Sequence, residues 1–384
     1  MSTLGLKTKY LSLNQRVDAP LFFGPRLKIV NELVGNIILT IDTSRVVKKV
    51  ILGPYGVGKT QLIRYAMSKI KDVAYSVYVE TPPCHKRTRF VDLYGVIMRN
   101  IGRQYILDIL KKTNDVSIDK LQSISDYLGL PERDLGYVIR ENLDKNDVVL
   151  WRYLTGEKLK AGEVKILKVA NNQLYEDDCV WILNALGIII KNFENKQLIL
   201  FIDEVENLAV ISGDSRMMLT EAIRGLVNED SNVGIIFVMS ARSFSGIPIP
   251  LVDEPVMRRI GRQNFVPFDE YSDEDLESLL NDILKFRRID QNNQDKIAII
   301  KTAETLTNET YPLTKEAITS VIETVKLLRN EGLIDSIRPK EALSIIDDSI
   351  AYAIQKDLTY ISSDVITPIT ERYVKSLSST VIPQ

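Results

Sequence analysis

The chain has 384 residues, 45% of them hydrophobic and 26% charged, with a formal net charge of −2, which is the composition of an ordinary globular protein with room for two or three domains. The near-neutral balance gives no global sign of nucleic-acid binding and leaves a local basic face open. The one histidine, His85, excludes a zinc site and a Ser-His-Asp triad, and Cys84 and Cys179, with no CxxC partner, read as reduced thiols of a cytoplasmic protein.

The N-terminal stretch MSTLGLKTKYLSLNQR is too polar for a signal peptide, and residues 1–20 read as an irregular leader ending at Pro20. Apolar residues at Leu27, Val30, Leu33, Val34 and Ile37–Ile38 have helical spacing. The β-branched run Val46–Leu52 reads as a buried strand that stops at Gly53, Gln61–Ile70 as a helix and Tyr75–Val79 as a second strand. Phe90–Leu110 reads as one helix. Gln197–Ile202 is a third strand, followed by a helix through Met217–Val227. Gly234–Met239 is a fourth strand and Phe265–Pro267 a short fifth. Alternating strands and helices imply a mostly parallel sheet covered on both faces.

From about Asp273 the strand signals stop. Asp273–Arg287, Gln294–Leu306, Thr314–Arg329 and Pro339–Gln355 read as helices, with Ser272 and Thr314 as N-caps and Pro339 in a first turn. The interval between Lys59 and Asp203 is far longer than the roughly 30 residues of one βαβ unit. Residues 113–190 are therefore expected to be a mostly helical insertion. Its apolar run Trp181–Ile190 is too short for a membrane span of about 20 residues, so it reads as insertion core and no membrane is expected. The expected organisation is α/β: a parallel-sheet core over 21–270 that carries this insertion, then an all-α domain over 271–384.

Residues Gly53-Pro54-Tyr55-Gly56-Val57-Gly58-Lys59-Thr60 fit GxxxxGK[ST] between a strand and a helix. Glycines allow positive φ, so that backbone N–H groups can close on a β-phosphate. The helix starting near Lys59 turns its positive end to the same anion. The Lys59 ammonium can reach β- and γ-phosphates, and the Thr60 hydroxyl can ligate Mg²⁺. The implied cofactors are ATP and Mg²⁺.

The third strand runs into Asp203-Glu204 at the edge where open parallel sheets bind ligands. Asp203 suits a Mg²⁺ ligand, partly through water, and Glu204 suits orientation of the attacking water. Glu206 reads as a structural charge near a helix start.

These residues, the alternating strands and the helical C-terminal part resemble the AAA+ ATPase superfamily, which implies a P-loop core followed by a helical lid. Gly234-Ile235-Ile236-Phe237-Val238-Met239-Ser240 resembles the sensor-1 strand, which makes Ser240 the γ-phosphate or water contact. Arg258-Arg259-Ile260-Gly261 before Phe265–Phe268 resembles the arginine-finger segment, acting in trans. Its spacing favours Arg259, with Arg258 in reserve, and a guanidinium binds phosphate in a planar fork. Arg338-Pro339-Lys340-Glu341-Ala342-Leu343 looks like the sensor-2 helix of the lid, with Arg338 on the γ-phosphate in cis. Phe23-Gly24-Pro25-Arg26 resembles the adenine-holding segment of the initiator branch, which includes the origin-recognition-complex ATPases; Pro25 and Arg26 are carried over as nucleotide contacts. Thr81–Gly102 resembles the same branch.

The initiators add a winged helix, and the chain after the helix at Pro339 is expected to be too short for one. In the insertion, Trp151-Arg152-Tyr153-Leu154-Thr155-Gly156 opens a stretch similar to ATP-binding proteins of BREX-type phage-defence systems and related mobile-element ATPases.

Lys86-Arg87-Thr88-Arg89 and Lys158, Lys160, Lys165 and Lys168 are locally basic and suit backbone contacts to DNA without sequence reading. The resemblance thus implies an oligomeric, DNA-associated ATPase in loading, remodelling, defence or mobile-element work. The alternative is a nucleotide-dependent switch or scaffold directed at a protein, bound through residues 113–190. A small-molecule kinase is disfavoured by the helical C-terminal part and by Arg259 and Arg338.

Overall fold

The computed structural model describes residues 4–8, 10–11, 21–114, 135–241 and 246–380. The expected leader and insertion therefore lie partly outside the described residues. Five strands form: β1 (Lys48–Gly53), β2 (Ala74–Glu80), β3 (Gln197–Asp203), β4 (Val233–Ser240) and β5 (Phe265–Pro267). They make one parallel sheet in the order β2-β3-β4-β1-β5. Ala74 to Glu80 pair with Gln197 to Asp203, and Leu198 to Ile202 pair with Val233 to Phe237. Every residue of β3 is buried, as expected of a strand covered on both faces.

The chain divides into two compact units. One comprises Val34–Leu52 and Lys69–Pro267. Its helices include α3 (Phe90–Ile101), α4 (Arg103–Asn114), α5 (Leu135–Asn142), α6 (Asp147–Leu154), α7 (Ala161–Leu167), α8 (Glu176–Glu194), α9 (Gly213–Leu226), α10 (Ile249–Val252) and α11 (Glu254–Ile260), with α1 (Leu27–Asp42) and α2 (Lys59–Ile70) each divided between the units.

Described residues of the 113–190 stretch are part of this unit's core. Leu150, Tyr153, Leu154 and Leu167 belong to the same buried cluster as Leu198, Leu200 and Ile202 of β3. Ile182, Leu183, Leu186, Ile189 and Ile190 of α8 are buried, so the apolar run is core, as its sequence suggests. Backbones meet closely: a Cβ built on Gly95 would lie 2.6 Å from the Thr155 carbonyl oxygen, and one on Gly156 2.5 Å from Val91 Cγ2. Both residues of Thr155-Gly156 thus serve the docking of α6 onto α3.

The other unit comprises Met1–Leu33, Gly53–Ser68 and Phe268–Gln384. Its core is formed by α12 (Asp273–Arg287), α14 (Lys315–Asn330), α15 (Pro339–Gln355) and α16 (Ser363–Thr380), with the short α13 (Gln294–Ile299) beside the loop that follows. Ser272 Oγ accepts from the Asp275 N–H and Thr314 Oγ1 from the Ala317 N–H, both at 3.1 Å, so both expected caps form. Leu4, Leu6 and Leu11 of the expected leader are fully buried in this core. Leu6 bridges to Arg288, and the Ile289 N–H donates to the Gly5 carbonyl at 2.8 Å.

Two expectations are corrected, and one helix forms that the sequence reading did not place. Phe90–Leu110 is two helices, because Gly102 takes φ 101° and ends the first one; the apolar spacing continues through the break. The helix from Gln294 stops at Ile299. Beyond it, Glu304 accepts from Thr314 Oγ1 at 2.6 Å and from the Ser363 N–H at 3.0 Å, which ties this stretch to the starts of α14 and α16. Finally, α16 forms although it contains Pro368. Burial of Ile366 and Ile369 outweighs the cost of an interior proline, about 3 kcal/mol. No described helix is long and apolar enough to cross a membrane.

Replacing a helical glycine by alanine usually gains about 1 kcal/mol. At Gly95 the new methyl would strike the Thr155 backbone, so Gly95→Ala is expected to lose about 1–3 kcal/mol in urea unfolding. A gain would mean that the insertion does not press on α3.

Candidate functional site: a phosphate loop and an acidic strand end

In the unit that contains the loop, Gly56 and Gly58 hold φ of 82° and 96°, the left-handed region where a side chain is strained. A Cβ at Gly58 would meet nothing within 4 Å, whereas one at Gly53 would lie 2.1 Å from the Phe268 carbonyl oxygen. Gly53 is thus required by a close approach, and Gly58 by its backbone angle. Lys59, the first residue of α2, is buried, and its ammonium donates to the carbonyls of Gly53 at 2.9 Å and Pro54 at 2.7 Å. Val57 is fully buried, Thr60 partly, and Tyr55 is exposed.

The 21–26 segment lies along α2. Gln61 Nε2 donates to the Leu21 carbonyl at 2.6 Å, and the Phe22 and Tyr65 rings are 5.8 Å apart. Pro25 is exposed and Arg26 is buried. The Arg26 guanidinium sits 3.6 Å from the centre of the Tyr271 ring and 4.9 Å from that of Phe268. Burial lowers its pKa against the pull of Tyr271, Asp275 and Asp269. Its Nη1 is buried with no hydrogen-bond partner among the described residues. Arg338 stands before α15, with its guanidinium 5.4 Å from the centre of the Tyr55 ring.

In the sheet unit, Asp203 closes β3 at 3% exposure. Its Oδ2 accepts from the Tyr78 hydroxyl at 3.1 Å and its Oδ1 from the Glu204 N–H at 3.0 Å. Glu204 adopts φ 55°, ψ 38°, a left-handed conformation that costs a non-glycine residue about 1–2 kcal/mol. Such strain collects at functional sites. Asn207 Nδ2 spans the Thr81 carbonyl at 2.9 Å and Glu204 Oε2 at 3.5 Å. Partial burial, then the negative charges of Glu80, Asp203 and Glu206, raise the Glu204 pKa. Glu206 Oε2 accepts the Ser240 N–H at 3.0 Å, tying the turn after β3 to the end of β4. Glu206 is therefore structural, through β4 rather than through a helix end.

Arg259 is half-buried, with Nε on Asn228 Oδ1 and Nη1 on the Pro255 carbonyl, each at 3.1 Å. Arg258 is exposed and pairs with Glu254 at 2.6 Å. Both line a cavity of about 450 Å³ with Asn228, Glu229, Glu254 and Pro255. In the basic stretch before α3, Arg89 binds Glu176 in a two-point fork, with both bonds 2.8 Å. Lys86 and Arg87 are exposed, as are Lys158, Lys160, Lys165 and Lys168.

The donor types suit the implied ligands. Thr60 and Asp203 offer hard oxygens of the kind Mg²⁺ prefers, and the left-handed glycines with the open space at Gly58 form a cradle for phosphate. Sequence reading missed Tyr78, Asn207 and Glu80. Tyr78 and Glu80 could have been found once β2 was paired beside β3, since Glu80 stands opposite Asp203.

No protein-family model and no curated protein sequence matches the chain. Among solved structures it is similar to the ORC2 protein of Aeropyrum pernix in ADPNP–ADP complexes, at 12% identity over 92% of this chain and 71% of that chain, with a TM-score of 0.53. It is also similar to the Aeropyrum pernix ORC1 protein in complex with DNA, at 11% identity over 96% and 70%, TM-score 0.49. A third is Cdc6p from Pyrobaculum aerophilum, at 14% identity over 91% and 68%, TM-score 0.47. The ORC2 likeness identifies the fold as the AAA+ α/β fold with a C-terminal helical domain, the fold expected from the sequence resemblance.

The raised pKa of Glu204 means that its carboxylate gains a proton at a higher pH than an ordinary glutamate, near 4.3. In the metal-free protein, carboxyl NMR titration is expected to place Glu204 above that value, and Glu80→Gln to lower it. An unchanged titration in Glu80→Gln would remove Glu80 from the site's electrostatics.

Proposed function

We propose that this chain is a cytoplasmic AAA+ ATPase that binds ATP with Mg²⁺, works as an oligomer and acts on DNA through backbone contacts. The observation that carries the reading is the GxxxxGKT loop with left-handed Gly56 and Gly58 and a buried Lys59 heading α2. The ORC2 fold likeness adds to it, since that protein was solved with ADPNP and ADP.

In this reading, loop N–H groups and Lys59 hold the β- and γ-phosphates. Thr60 and Asp203 hold Mg²⁺, which supplies neutralisation of phosphate charge. Tyr78 and the Glu204 N–H fix the Asp203 carboxylate. Glu204 orients the attacking water and takes its proton, and Asn207 restrains the Glu204 carboxylate. Ser240 contacts the terminal phosphate or the water, Arg338 that phosphate in cis, and Arg259 a neighbouring subunit's nucleotide. Pro25 and Arg26 hold the base. Residues 21–270 act as the ATPase core and 271–384 as its lid.

For DNA, the supporting observation is the exposed lysine set on and beside α7. Arg152 pairs with Glu157 and Glu163, and Glu163 also caps the Lys160 N–H. Lys158, Lys160, Lys165 and Lys168 are exposed and form no ion pair within 4 Å among the described residues, which suits a polyanion.

Lys59→Ala is expected to abolish nucleotide binding, and Glu204→Gln to keep ATP bound while slowing hydrolysis by about 100-fold or more. Hydrolysis by the wild type should rise with double-stranded DNA at low salt and lose that stimulation at high salt. A rate indifferent to DNA would transfer the reading to a protein-directed switch. Arg259→Ala should hydrolyse poorly, and mixing it with Glu204→Gln subunits should restore activity. Normal hydrolysis by Arg259→Ala at high concentration would remove the trans arginine.

A further inference from the structure

Arg338 precedes α15, and Glu341 lies in the first turn of that helix. Arg338 Nε donates to Glu341 Oε2 at 2.8 Å, and the two side chains are 13% and 5% exposed. The aliphatic part of Arg338 occupies the space over Gly56, where a Cβ would fall 2.5 Å from Arg338 Cδ. The guanidinium faces the Tyr55 ring at 5.4 Å, and Ser336 Oγ reaches the Tyr55 carbonyl at 3.4 Å. Phosphate loop and helix start therefore meet through Tyr55, Gly56, Ser336 and Arg338.

A carboxylate commonly takes a guanidinium by two parallel bonds. Glu341 takes Nε alone, and the two Nη groups make no hydrogen bond among the described residues. One edge of the fork is fixed by a withdrawn acid, and four N–H donors are kept for another anion. By charge alone, Glu341 opposes an anion at that place. Its contribution is geometric: it holds a long, flexible side chain in one orientation.

We propose that Glu341 is a positioning residue that holds Arg338 by its Nε against Tyr55 and Gly56, so that the Nη groups meet the terminal phosphate of a nucleotide in the loop. The proposal rests on the nucleotide-binding reading above. It separates charge from geometry, because glutamine keeps an acceptor for Nε and loses the charge.

The test measures equilibrium binding of ATP and ADP to the full chain, melting temperature, and steady-state hydrolysis. Arg338→Ala and Glu341→Ala are each expected to reduce both the preference for ATP over ADP and kcat by about tenfold or more. The double variant should lose no more than either single variant. Glu341→Gln should stay within about threefold of wild type. Should Glu341→Ala not fold, Glu341→Met keeps the bulk, removes the acceptor and takes its place.

A Glu341→Ala protein with wild-type ATP preference overturns the proposal. So do additive losses in the double variant, or a folded Glu341→Gln as impaired as the alanine. A wild type that binds no nucleotide ends the nucleotide reading and this proposal together. Wild-type binding that Lys59→Ala abolishes, with a silent Glu341→Ala, ends this proposal alone.

Discussion

The complete burial of β3 sets the rest of the sheet unit. A strand with no exposed residue needs a hydrogen-bonded neighbour on each edge and helices on each face, and β2, β4 and the covering helices supply them. Ile202 and Asp203 close the strand, and polar chemistry begins there. A carboxylate at 3% exposure is tolerable only when its oxygens are bonded, and the Tyr78 hydroxyl and the Glu204 N–H bond them. Immediately after this bond the chain turns, with Glu204 in the left-handed region.

Crowding of like charge has the same origin. Parallel pairing sets Glu80 opposite Asp203, so two strand ends place acids side by side, and Glu204 and Glu206 follow within one turn. The fold answers part of this repulsion by binding Glu206 to the Ser240 N–H. Among the described residues the Glu204 carboxylate has only the Asn207 amide at 3.5 Å, and burial with the neighbouring acids raises its pKa. On the proposed reading, that direction suits a group that takes a proton from water.

The strands were legible in the sequence because burial on both faces writes them as continuous apolar runs, such as Leu198–Ile202 and Ile235–Met239. The fold class was legible for the same reason. Two helix boundaries were not, because they fall inside an unbroken apolar pattern, at Gly102 and ahead of Glu304. Helix α16 was hidden by Pro368, whose cost is met only in the tertiary core. Leu4, Leu6 and Leu11 gave no periodic signal, since they enter the core from irregular chain. Of the candidate site, the phosphate loop and Asp203-Glu204 were readable because each is contiguous. Tyr78 and Asn207 were not, because their roles exist only once strands pair and the turn after β3 forms. Glu341 was within reach, since Arg338 and Glu341 are three apart at a helix start, a spacing that places side chains together.

The loop itself shows how such a site is kept ready. A buried ammonium is costly without acceptors, and Lys59 finds two in the Gly53 and Pro54 carbonyls. These same bonds curl the loop around the ammonium and hold its first residues in place. Gly53 is also fixed from outside by the Phe268 carbonyl, which leaves no room for a side chain. The conformational cost of shaping the loop is therefore met by folding, and on the reading proposed above an arriving phosphate would need to order little more than its own contacts. On that reading, binding would trade one set of strong bonds of Lys59 for another. The left-handed Gly56 and Gly58 complete this shape, since a residue with a side chain would be strained at either position.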